Sequence, residues 1–301
     1  MKSALLVSNC SRPENQGLAL SGTTNDVILL GKTLTRRYRF HEIRHLRNRG
    51  ATLDRVLSNL NQMIKAAGPG DDLLFYFSGH GSTIPDLNND EGDKYDECLV
   101  LNDHHIDNAF TDDKLYEAIK PLHEEAFLTI IIDSCHAAGM ADYQTDFQFK
   151  HDAVEGYNPD TEYRVDNTKK FGKKTSPDGP SSQRHVLFTA CPEGGLAMEQ
   201  SVPVKVRRGQ PNQRTKNFSF GVFTRSLVAT MQSRLWNKSW ARIHRATSNA
   251  VLRKTEGAQV PLLYGAASLI QRGPFGPPRK ISNPVEQPLL ETEESDKEED
   301  T

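Results

Sequence analysis

The chain contains little cysteine: four residues in 301, Cys10, Cys98, Cys135 and Cys191, with no Cys-x-x-Cys pair. That scatter indicates neither a disulfide framework nor a structural zinc site, and a reducing compartment would leave Cys135 available as a thiol. There is also no run of about 18 consecutive apolar residues, so no membrane span and no membrane partner are expected. The opening Met1 to Ser8 is too short for a signal peptide and reads as a first strand. The expected compartment is the cytoplasm, with nuclear access left open. An excess of one charge is missing too. The formal net charge is −2, and basic runs at Arg36 to Arg49 and Lys169 to Lys174 are offset by acidic segments, which argues against a nucleic-acid partner. No internal repeat occurs. Neither a Gly-x-Ser-x-Gly elbow nor a Gly-x-Gly-x-x-Gly fingerprint stands where its strand–turn–helix context demands, which disfavours an α/β hydrolase or a dinucleotide enzyme.

What is present suffices for one substantial core of about 200 to 270 residues with irregular additions. Asn25 to Tyr38 reads as a helix, His41 to Leu46 as a short strand, and Ala51 to Ala67 as a helix with apolar positions at Leu53, Val56, Leu57, Leu60 and Ile64. Leu73 to Phe77 is an uninterrupted apolar strand. Helix Asp112 to Leu122 leads to the strand Phe127 to Ile132, and this β-α-β rhythm predicts an α/β fold with a mostly parallel sheet covered by helices. From Met140 to Ser182 the chain turns polar without periodicity, as a long loop or insertion would. His185 to Ala190 restores a strand, Val222 to Leu235 a helix and Val260 to Tyr264 a final strand. The core is expected to end by Ile270. Residues 271–301 combine Gly and Pro with the acidic stretch Glu291 to Asp300 and read as a disordered tail.

Two loops carry the chemistry. His80, in Ser78-Gly79-His80-Gly81, and Cys135, in Asp133-Ser134-Cys135-His136, lie 55 residues apart, each just beyond a buried apolar run. If the runs are neighbouring parallel strands, both side chains emerge at one carboxyl edge, where open α/β sheets place their sites. An imidazole beside a thiol depresses its pKa and later supplies a proton to a leaving amine. The flanking glycines are expected to allow close backbone approach and positive φ. The N–H groups of Gly81 and Cys135 are candidate oxyanion donors. His136, adjacent to Cys135, is poorly aimed to serve as its base. Pro85 to Glu97 packs six carboxylates near His80, an oxygen-rich and thiol-free set that suits Ca²⁺ as well as it suits a solvated acidic loop.

The chain resembles the metacaspases, a caspase-like clan of cysteine peptidases, over roughly Lys2 to Ala267. The likeness rests on an ordered series: Gly22-Thr23-Thr24-Asn25-Asp26, Tyr76-Phe77-Ser78-Gly79-His80-Gly81, Asp96-Glu97, Asp133-Ser134-Cys135-His136, Phe188-Thr189-Ala190-Cys191 and Gly221-Val222-Phe223-Thr224. It implies a caspase-like three-layer sandwich. Residues 1–270 would form the peptidase domain, with a large-subunit-like section over residues 1–140, a polar linker over 141–182 and a small-subunit-like section over 183–270. It implies endopeptidase activity through His80 and Cys135 on protein or peptide substrates, with an acidic pocket at Asp26, Ser78 and Asp133 receiving Arg or Lys. Paired carboxylates suit a guanidinium well. The resemblance further implies a monomer and Ca²⁺ bound by Asp96, Glu97 and Asp142 with one carboxylate of the acidic loop, Asp86 or Asp90. Glu97, Thr23 and Ala137-Ala138 depart from the usual family residues, and no prodomain is expected before the first strand. Lys169 to Lys174 and Lys205 to Lys216 are candidate sites of self-processing. The competing reading is a caspase-fold regulatory or binding protein without turnover.

Overall fold

The computed structural model describes residues 1–10, 19–85, 95–134, 185–192, 195–206 and 214–275. In chain order the first elements are β1 (Lys2–Ser8), α1 (Thr23–Thr33), β2 (Glu42–Arg47), α2 (Leu53–Lys65) and β3 (Asp72–Ser78). They are followed by β4 (Gly81–Pro85), β5 (Tyr95–Leu99), β6 (Phe110–Thr111), α3 (Asp112–Ile119) and β7 (Phe127–Asp133). The remaining elements are β8 (His185–Thr189), β9 (Glu199–Val206), β10 (Arg214–Gly221), α4 (Val222–Gln232), α5 (Trp240–Lys254), β11 (Leu262–Gly265) and α6 (Ala267–Ile270).

The central sheet has six strands in the order β11-β8-β7-β3-β1-β2. All its pairings are parallel except the antiparallel edge pair β8 and β11. Strict alternation of side chains sends Ala4, Leu6, Leu74, Tyr76, Ile131 and Phe188 into one apolar layer and Leu5, Val7, Phe75, Phe77, Ile130 and Leu187 into the other. Helices α1, α4 and α5 cover the first layer, while α2 and α3 cover the second. Both sheet faces are therefore dry, and β3 is buried along its whole length, which explains an apolar run without polar alternation. The arrangement is an α/β three-layer sandwich. In α2 the buried positions Leu53, Val56, Leu60, Met63 and Ile64 recur every three or four residues, the stripe a helix needs to lie on a sheet. On α1, an added Cβ at Gly31 would stand 3.1 Å from the His45 ring and 3.3 Å from Leu6, so the missing side chain is what lets α1 settle onto β1 and β2.

Several boundaries differ from expectation. The helix expected to run to Tyr38 ends at Thr33 and passes into a π-helical turn, Leu34–Tyr38, closed by Arg39 in the left-handed region at φ 61°. The hairpin β9 and β10, the small sheet β4-β5-β6 and helix α5 have no counterpart in the sequence-based expectation. Buried packing also continues past Ile270: Phe275 is 2% exposed and meets Tyr38, Phe40 and Trp240 edge-on at 5.4, 4.9 and 5.6 Å. Arg272 pairs with Asp72 at 3.0 Å and lies over the Phe127 ring. The polar linker expected at 141–182 and the tail from 276 onward fall outside the described residues. No helix among the described residues is long and apolar enough to cross a membrane.

Candidate active site

Strands β3 and β7 are parallel neighbours, and their register sets Ser78 opposite Asp133. His80 follows the first by two residues, as Cys135 follows the second in sequence. Cys135 itself lies outside the described residues, which stop at Ser134 on this loop. His80 is 6% exposed. Its turn is braced from three directions. The Asn9 N–H donates to the Ser78 carbonyl at 3.0 Å, Gly79 N–H to the Asp133 carbonyl at 3.3 Å, and Val100 N–H to the His80 carbonyl at 3.0 Å. Asn9 also donates through Nδ2 to the Val100 carbonyl at 3.0 Å, joining the two loops around the imidazole. Close approach, not positive φ, is what demands glycine at position 79. A Cβ there would stand 2.7 Å from the Phe77 ring and 3.0 Å from the Asn9 carbonyl, and neither Gly79 nor Gly81 has positive φ. Gly81 opens β4 opposite Leu99.

Asp26, Ser78 and Asp133 converge beside this loop, and all three are buried. Ser78 Oγ donates to Asp26 Oδ2 at 3.1 Å. The Gly221 N–H reaches both carboxylate oxygens of Asp26, at 3.0 and 3.1 Å. Asp133 Oδ2 accepts from the Thr224 N–H at 3.0 Å and from its hydroxyl at 2.5 Å. The Thr224 hydroxyl in turn lies 2.7 Å from the Tyr76 hydroxyl. Helix α4 has neither a side-chain cap of its own nor an acid in its first turn, so Asp133 supplies the missing N-terminal carboxylate from a neighbouring strand. Gly221 is wedged between Asp133 and Asp26, where a Cβ would collide with the carboxylate of the first and crowd that of the second.

No basic side chain balances this pair among the described residues. Burial pushes the Asp26 carboxyl well above the ordinary carboxylate range, and the facing Asp133 charge pushes it further. Burial likewise raises Asp133, to about 6, against the hydrogen bonds from Thr224 that favour its ionised form. Glu199 at the start of β9 is a third carboxylate in the group, raised by burial and by Asp133, and it accepts the Gly22 N–H at 2.9 Å. The site is thus a buried, electron-rich cluster that favours a proton or an incoming cation.

Sequence reasoning misses Glu199, Asn9 and Thr224 as site residues. The Gly221 to Thr224 segment does carry a signal as a helix start, but nothing local announces that its N–H groups serve acids 195 and 91 residues earlier. Of the residues expected to bind Ca²⁺, Asp96 and Glu97 are successive residues of β5, opposite Ile84 and Thr83. Asp86, Asp90 and Asp142 lie outside the described residues. Among the described residues no group of three or more His, Cys, Asp or Glu stands close enough to hold a metal ion.

A parallel α/β sandwich with a histidine turn at one carboxyl edge and a buried acidic cluster beside it defines a caspase-like architecture. The structure superposes with a TM-score of 0.59 on the crystal structure of protein GSU0716 from Geobacter sulfurreducens, at 20% identity, covering 91% of this chain and 98% of that one. Against Caspase-1 from Spodoptera frugiperda the TM-score is 0.53 at 12% identity, with 92% and 89% covered. At such identities the likeness concerns the fold alone. Residues 2–144 match the family described as metacaspase, peptidase C14 domain. The chain is 33% identical over 150 residues to Metacaspase-1 of Schizosaccharomyces pombe, covering 47% of this chain and 35% of the relative. It is 32% identical over 142 residues to Metacaspase-1 of Plasmodium falciparum, covering 44% and 23%. Residues 2–144 are therefore similar to the metacaspase peptidase domain, a likeness that extends over just under half of the chain. The chain spans about a third or less of the length of these relatives.

Proposed function

We propose that the chain is a cysteine endopeptidase that cleaves after Arg or Lys. The observation that carries the reading is the pair Asp26 and Asp133, buried side by side at the carboxyl edge next to the histidine turn with no basic partner among the described residues. A guanidinium entering this cluster would replace an awkward buried negative pair by a charge-assisted, hydrogen-bonded one. Ser78 would orient the Asp26 carboxylate toward it.

In this reading the Cys135 thiolate attacks the scissile carbonyl, and His80 takes the thiol proton and delivers it to the leaving amine. The oxyanion is held by the N–H groups of Gly81 and Cys135. Water then hydrolyses the acyl-enzyme with His80 as general base. Ca²⁺, held by Asp96, Glu97, Asp142 and Asp86 or Asp90, would act as an activator outside the bond-breaking chemistry. The protein would act as a monomer. Self-processing is assigned to Lys169 to Lys174. A second candidate is the stretch Lys205 to Lys216: Lys205, Arg214 and Lys216 belong to the paired strands β9 and β10, whose hydrogen-bonded backbone is unsuited to a protease cleft, while Arg207 and Arg208 lie outside the described residues.

The test is hydrolysis of matched fluorogenic peptides ending in Arg, Lys, Asp or Asn, with Ca²⁺ and with chelator, by wild type and by Cys135→Ala. Cleavage after Arg or Lys, lost in Cys135→Ala, is the expected result. No cleavage by folded, Ca²⁺-loaded protein would overturn the reading in favour of a regulatory caspase-fold protein.

A further inference from the structure

The sheet ends at β2, and no strand pairs with its outer edge among the described residues. Cations gather along it. Exposed Arg36 and Arg39 precede the strand and exposed Arg47 stands on it, while burial and the neighbouring Arg47 favour the neutral ring of His45. Arg36, Arg39 and Arg47 form no ion pair with any described residue. On the opposite face of the strand the local charge is already answered, because Arg44 pairs with Glu42 at 2.7 Å. An unpaired strand edge bordered by unbalanced cations is a template for an extended acidic segment.

The chain supplies such a segment. Glu291 to Asp300 holds seven carboxylates and one lysine. The described residues end at Phe275, whose ring packs on Tyr38 and Phe40, at the corner between the turn that follows α1 and the start of β2. The Lys2 ammonium donates to the carbonyls of both Tyr38 and Phe275, fixing that exit point at the entry to β2. The stretch 276–290 provides 15 residues before the acidic run. Fifteen residues are enough to reach roughly 20 Å, about the length of a six-residue strand.

We propose that the acidic segment Glu291 to Asp300 docks along the outer edge of β2, held by Arg36, Arg39 and Arg47. The occupant is the chain's own tail and not a second copy, because the exit point is beside the edge and the linker reaches it. Docking would cover the open edge and screen the cations from other acidic partners.

Amide hydrogen exchange of β2 in the full chain tests the proposal. The comparison is a variant with the seven carboxylates of Glu291 to Asp300 replaced by the matching amides, which leaves residues 1–275 unchanged. Expected is a loss of protection on the order of threefold to tenfold in the variant, the scale a few exposed ion pairs supply. In the unmodified protein the same loss should appear at high salt, a measurement that needs no substitution. Equal exchange in both proteins at low salt overturns the proposal. Protection that depends on protein concentration overturns it as well, in favour of a second copy.

Discussion

Asp133, the last residue of β7, accepts two hydrogen bonds from Thr224, one from its N–H at 3.0 Å and one from its hydroxyl at 2.5 Å. The strand that leads to the candidate nucleophile is thereby stitched to the first turn of α4. Thr224 is 0% exposed, and its hydroxyl also lies against that of the buried Tyr76. Thr224→Val keeps the shape and leaves Tyr76 and one Asp133 oxygen short of a partner. The expected cost is about 1 to 3 kcal/mol, read as a shift in the urea midpoint at unchanged slope. A midpoint unchanged by the substitution would contradict the network.

Asp26→Asn should separate stability from activity. The amide retains an acceptor for the Gly221 N–H and removes a charge that burial already disfavours, so unfolding free energy should stay within about 1 kcal/mol of wild type. Loss of a buried charge opposite a guanidinium costs about 2 to 5 kcal/mol, so kcat/KM on Arg peptides should fall roughly 30-fold or more. Equal kinetics would remove Asp26 from the pocket.

The Asp133 carboxyl titrates near 6 in the folded chain, above the ordinary value of 3.8, because it is buried. In that window the folded state holds a proton that the unfolded chain has released, so the stability this group contributes is present at low pH and is lost as pH rises through about 6. The slope is about 1.4 kcal/mol per pH unit for one proton. Urea unfolding of wild type and Asp133→Asn between about pH 4.5 and 6 should show wild type losing stability relative to the variant as pH rises. Cleavage of Arg peptides should run the other way, rising over the same range as the pocket becomes anionic. A constant stability difference would contradict the linkage.

Phe275→Ala removes a ring that meets three others, those of Tyr38, Phe40 and Trp240. A destabilisation of about 3 kcal/mol or more is expected from thermal or urea unfolding. An effect within about 0.5 kcal/mol, typical of a surface position, would mean that the domain ends before this residue.

The strands β1, β3, β7 and β8 are legible because burial on both faces leaves runs such as Leu73 to Phe77 that no other element explains. Helix α5 escapes because its core-facing positions include His244, Thr247 and Ser248, which break the apolar stripe. His244 is tolerated there because its Nε2 meets the Pro261 carbonyl at 3.0 Å, a partner that no local pattern reveals. The hairpin strands β9 and β10 are polar on their open face, and Pro203 interrupts the first, so the segment reads as loop. At the site, His80, Asp26 and Asp133 can be named from their motifs. Glu199 cannot, since its neighbourhood carries no pattern and its place beside Gly22 follows only from the way β9 crosses the edge.

The acidic cluster takes Asp26, Ser78 and Asp133 from the chain before Ser134 and Gly221, Thr224 and Glu199 from the chain after His185, while β7 and β8 lie side by side in the sheet. A peptide-bond cut anywhere between Ser134 and His185 would therefore alter connectivity without parting the halves, since separating them means tearing the sheet between two inner strands. Such a nicked molecule would elute as one species on gel filtration and resolve into two bands only under denaturing conditions. Its unfolding, unlike that of the intact chain, would become a dissociation whose midpoint rises with protein concentration.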